Sequence, residues 1–84
     1  MDAYYSRMSL RDLANVIRED WGSKGKGVNY AAKPYLDAMA TLQSINDNYM
    51  FDDGRSVVRY FLSNATSWRG DVAKAVKAEL KSRL

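Results

Sequence analysis

The chain has 84 residues, 13 Lys and Arg against 10 Asp and Glu, a net charge of +3, and neither cysteine nor histidine. Those counts exclude a disulfide framework, zinc, haem or iron–sulfur ligation through thiolate or imidazole, and every catalytic scheme that needs Cys or His. With 46% hydrophobic residues the chain can still build one small core, so it reads as a single domain over residues 1–84.

The first helix has clear start signals. Ser9 is the expected N-cap, Asp12 follows three residues on, and Met8 and Leu13 occupy the hydrophobic-staple positions. Leu10, Leu13, Ala14, Ile17 and Trp21 share an arc of about 100° at 3.6 residues per turn, which predicts an amphipathic helix over about 9–21. Val16 stands alone on its polar side. Glu19 and Asp20 sit near its C-terminus, where negative charge is mildly unfavourable.

Gly22-Ser23-Lys24-Gly25-Lys26-Gly27 ends this helix and reads as a flexible, basic Gly/Lys loop. Glycines and lysines invite a phosphate-binding reading. The G-x-x-x-x-G-K-[ST] spacing is absent, however, and no strand pattern leads in. A turn near Tyr30-Ala31-Ala32, capped by Asn29, precedes a second helix over about 34–45, started by Pro34. Tyr35, Leu36, Ala38, Met39 and Leu42 form its inner face.

Residues 46–54 superficially resemble a calcium loop. Counting back from Gly54, the alternate positions hold Asp53, Phe51 and Tyr49, and only the first could ligate. A capping role for Asp52 or Asp53 explains the acids better. The third helix spans about 54–64, with Val57, Val58, Phe61, Leu62 and Ala65 inward. The fourth spans about 67–83, with Trp68, Val72, Ala73, Val76, Leu80 and Leu84 as its apolar stripe. Gly70 leaves open whether that helix begins before or after it. No strand pattern is evident, so the expected fold is all-α, a compact four-helix domain.

Function is less legible. Asp52 and Asp53 are the only adjacent acids outside a helix, and capping accounts for at least one. The chain therefore reads as non-enzymatic, with no cofactor and no metal. The charge is uneven: residues 1–43 carry +1, residues 44–63 carry −1 and residues 64–84 carry +3. Lys74, Lys77 and Lys81 line one face of the last helix and could contact phosphates. That face offers no Arg, Asn or Gln for reading bases. The first helix resembles the start of a helix-turn-helix, but the glycine loop is too long for the required turn. Tyrosine and tryptophan exceed what a small core must hold, which favours a protein interface. The residues singled out as partner or nucleic-acid contacts are Trp68, Arg69, Lys74, Lys77 and Lys81. A homodimer is one form the interaction could take. The first seven residues lack a secretory pattern, and no run of about 18 apolar residues exists, so a cytoplasmic protein without a membrane span is expected.

A stretch Ala32-Lys33-Pro34-Tyr35-Leu36-Asp37-Ala38-Met39 is paired with a second block. That block is Tyr60-Phe61-Leu62-Ser63-Asn64-Ala65 leading to Trp68-Arg69-Gly70. The basic last helix contains Lys77-Ala78-Glu79-Leu80-Lys81. In these segments the chain resembles small uncharacterised accessory proteins of actinobacteriophages, including mycobacteriophages. The resemblance implies a non-enzymatic protein acting inside the host by binding a host protein. It implies no site residues. The alternative is a small nucleic-acid-binding module using the basic C-terminal helix.

Overall fold

Why the first long helix forms is visible at its start. In the computed structural model, which describes residues 3–50 and 52–84, the Ser9 side chain accepts from the Asp12 amide at 3.1 Å. The amides of Leu10 and Arg11 donate to the carbonyls of Gln43 and Leu42 at 3.0 and 2.9 Å. The first-turn N–H groups that a helix leaves unpaired are thus satisfied partly by a distant segment.

The element order is α1 (Ala3–Ser6), α2 (Leu10–Gly22), α3 (Lys33–Met39), β1 (Asn48–Tyr49), β2 (Asp52–Asp53), α4 (Gly54–Ser63) and α5 (Asp71–Ser82). The all-α, four-helix expectation is therefore corrected: the described residues form five helices and a two-stranded antiparallel sheet. Asn48 pairs with Asp53 and Tyr49 with Asp52. Met50 adopts φ 56°, the left-handed backbone that two-residue hairpin turns use. Strands of two residues are too short to produce a readable alternation.

The second predicted helix also ends early, at Met39 rather than near 45. The Asp47 carboxylate accepts from the amides of Gln43 and Ser44 at 2.9 and 3.1 Å, which holds a turn in place of further helix. The same segment supplies the two carbonyls that cap α2. The predicted turn at residues 30–32 is present, with Asn29 Oδ1 accepting from the Ala31 amide. Asp53, not Asp52, caps α4: its carboxylate accepts from the Ser56 amide at 2.7 Å. That bond holds the Asp53 carboxyl below the usual carboxylate range. The last helix begins after Gly70, at Asp71.

The core is assembled from one face of each long helix. Leu10, Leu13 and Ile17 of α2, Leu36 and Met39 of α3, Val57, Val58 and Phe61 of α4, and Val76 and Leu80 of α5 are all buried. Each such large side chain contributes roughly 1.5–3 kcal/mol on burial. No polar or charged residue is buried among the described residues. Val16, odd on the polar side of α2, is partly covered. With Tyr4, Tyr5 and Val72 it lines a shallow depression. Arg83 holds α1 in place, donating to the Tyr5 and Ser6 carbonyls at 3.1 and 3.4 Å while bonded to Glu79 at 2.7 Å. No helix among the described residues is long and apolar enough to cross a membrane.

Candidate functional site: a basic cleft beside a tryptophan stack

Trp68 and Arg69 precede α5 and lie in no helix. This placement replaces the expected helical stripe through Trp68. Gly70, at φ 114°, lets the chain turn from them into the helix. Trp68 is only 1% exposed and stacks on Trp21 of α2, with ring centroids 5.8 Å apart and planes 13° from parallel. Phe61 meets Trp21 edge-on at 6.3 Å. Residues far apart in sequence thus share one aromatic cluster.

Polar bonds fix the cluster on its outer side. The Trp68 indole Nε1 donates to Asp20 Oδ2 at 2.9 Å. Lys24 Nζ lies 3.0 Å from the same carboxylate and donates to the Arg69 carbonyl at 3.1 Å. The indole N–H first, and Lys24 second, hold the Asp20 carboxyl below its ordinary value against the opposing effect of burial. Lys77 Nζ donates to the Trp68 carbonyl at 2.6 Å and sits 5.8 Å from the Trp68 ring centroid. Burial, with the nearby cations Lys81 and Arg69, lowers the Lys77 pKa.

Two lysines therefore clasp consecutive carbonyls. Lys24 takes that of Arg69 and Lys77 that of Trp68. The Gly/Lys loop is pinned to the 67–70 segment, and the Arg69 backbone is anchored from both sides. The predicted lysine stripe divides accordingly. Lys77 is half-buried and committed to Trp68, while Lys74 and Lys81 are exposed.

Beside this cluster opens a cleft of about 700 Å³, walled by residues 24–30 and 67–69 with Trp21. Its lining includes Lys24, Lys26 and Arg69 and, among the described residues, no acidic one. Asp20, which neutralises Lys24, lies outside the lining. Lys26 and Arg69 are exposed and make no side-chain hydrogen bond or salt bridge among the described residues. Tyr30 stands at the edge with 89% of its surface exposed. Asn29 ties this edge down, its Nδ2 donating to the Asn64 carbonyl at 3.2 Å.

The structure thus brings Trp68, Arg69 and Lys77 together and leaves Lys74 and Lys81 outside the cleft lining. Lys26 is not among the contacts that the sequence singles out, and Tyr30 is legible there only as one of the surplus tyrosines that favour an interface. The Gly/Lys composition marked the loop, but nothing local showed that it meets residue 69. No family model matches the chain, and no curated protein or solved structure matches it significantly.

Proposed function

We propose that the protein is a non-enzymatic accessory protein that works by protein–protein interaction, with a host cytoplasmic protein as its partner. The partner class and the compartment come from the resemblance to small actinobacteriophage proteins. The observation that carries the binding reading is the cleft itself. It combines an exposed tyrosine with an arginine presented on an anchored backbone, and Tyr and Arg are the side chains most often dominant at interfaces. The other exposed large apolar side chains among the described residues, Tyr4, Met50, Tyr60 and Leu84, lie outside the cleft lining. The nucleic-acid alternative loses support where Lys77 is diverted to the Trp68 carbonyl. Among the described residues that leaves Lys74 and Lys81 as the unpaired cations of the stripe, too few for firm phosphate binding.

The test is site-specific photocrosslinking. A photoreactive amino acid placed at position 30 is activated in nuclease-treated actinobacterial lysate, and the product is identified by mass spectrometry. One discrete protein adduct, missing when the probe sits at exposed position 41, supports the reading. Equal labelling from both positions, or none from position 30, refutes it.

A further inference from the structure

Lys26 and Arg69 share a cleft, and neither has a counter-ion among the described residues. The third cation of the lining, Lys24, is consumed by Asp20 and the Arg69 carbonyl. The remaining pair is therefore free to meet an anion from outside. Arg69 is suited to the task. Its main chain is fixed by Lys24 on its own carbonyl and by Lys77 on the preceding one, so little backbone order is lost on binding. A guanidinium accepts a carboxylate through two parallel N–H bonds.

We infer that the cleft binds an acidic segment of a partner protein, with Arg69 and Lys26 gripping its carboxylates and Tyr30 packing against the segment. This rests on the reading of the cleft as the binding surface, and it adds the partner's chemistry. Charge complementarity selects the occupant: among the described residues the lining offers cations and no acid. A peptide carboxylate suits the site better than a nucleic-acid strand. A strand needs a continued track of cations and accessible ring faces for stacking. Here Trp21 and Trp68 are buried, and Tyr30 is the one exposed ring of the lining. Lys77, which could have continued a track, is turned inward.

The probe is a blocked hexaglutamate peptide added to the isotope-labelled full chain, followed by amide and Arg side-chain nuclear magnetic resonance. Saturable shifts are expected at residues 24–30 and 67–69 and at the Arg69 Nε–H, and they should weaken as salt rises. Lys26→Glu with Arg69→Glu should reduce the affinity by about tenfold or more. Both side chains are exposed, so the fold should persist. Lys26→Gln with Arg69→Gln serves as the milder pair if charge reversal disturbs it.

Absence of shifts at these residues overturns the inference. So does tighter binding of a thymidine hexanucleotide at the same resonances, which would assign the cleft to phosphate. Concentration-dependent shifts there without peptide would assign it to a second copy of the chain, with the same consequence. A position-30 crosslink to a partner that survives both charge-reversal substitutions leaves the binding reading standing and refutes the acidic-segment inference alone.

Discussion

Replacing Trp68 by Phe removes the indole N–H that donates to Asp20 at 2.9 Å but keeps an aromatic ring against Trp21. A hydrogen bond to a charged group contributes about 1.5–3 kcal/mol. The Asp20 carboxylate keeps Lys24 and some contact with water, so the lower end applies, about 1.5 kcal/mol. The smaller ring leaves unfilled space at a site that is 1% exposed, adding about 1 kcal/mol. The combined loss is about 2–3 kcal/mol, a large share of the roughly 4–13 kcal/mol expected for a domain of this length. Urea unfolding followed by far-UV circular dichroism should show the midpoint falling by about 2–3 M, taking a slope of about 1 kcal/mol per molar.

The acid side adds an independent reading. Because the folded-state pKa of Asp20 is depressed, its stabilisation is fully present above the unfolded-state value and is lost as pH falls through the folded-state value. Without the indole that folded-state value rises, so the acid loss of stability in Trp68→Phe narrows toward the ordinary carboxylate range. In an Asp20→Asn background the Phe substitution should cost about 1 kcal/mol less, since the charged acceptor is already gone. A cost below about 0.5 kcal/mol, or the same cost in both backgrounds, would refute the bond's contribution.

Other substitutions test other parts of the fold. Gly54→Ala places a Cβ 2.7 Å from the Ile45 carbonyl oxygen and 2.8 Å from its Cα, against backbone that cannot yield. A loss of about 3 kcal/mol and a fall in Tm of more than about 12 °C should appear in thermal unfolding. Gly70→Ala forces a side chain onto φ 114° and brings its Cβ within 2.7 Å of Lys24 Nζ. It should cost about 2 kcal/mol and speed amide hydrogen exchange in the 24–27 loop. Arg83→Ala releases the Tyr5 and Ser6 carbonyls. Exchange at the first helical turn should accelerate while protection in α2 and α4 is retained, and equal acceleration throughout would contradict the clasp.

The amphipathic run from Leu10 to Trp21 was readable because its cap, its staple and its apolar arc all agree locally. A cap at Asp52 or Asp53 was readable too, and the structure selects Asp53. The hairpin was not, because its pairing spans two residues on each side and its turn uses Met50 rather than a glycine. The early end of α3 was hidden for another reason. Asp47 and the needs of the distant α2 N-terminus decide it, not the helical propensity of residues 40–45. Asp20 did leave a sequence signal, as an acid at the unfavourable end of a helix. Its explanation needed Trp68, 48 residues away. The same long-range bonds turned Lys24 and Lys77 from presumed surface charges into clasps. What remained free, Lys26 and Arg69, could be recognised only after those partners were known.

The most direct test of the central claim is the affinity of a crosslinked partner, once identified, for the unmodified chain and for Arg69→Glu. Among the described residues Arg69 makes no side-chain bond that holds the fold, so loss of binding by about tenfold or more with unchanged thermal stability is the predicted result. Equal affinity for both chains would show that Arg69 does not grip the partner, and would contradict the account of the cleft as a site for an acidic segment.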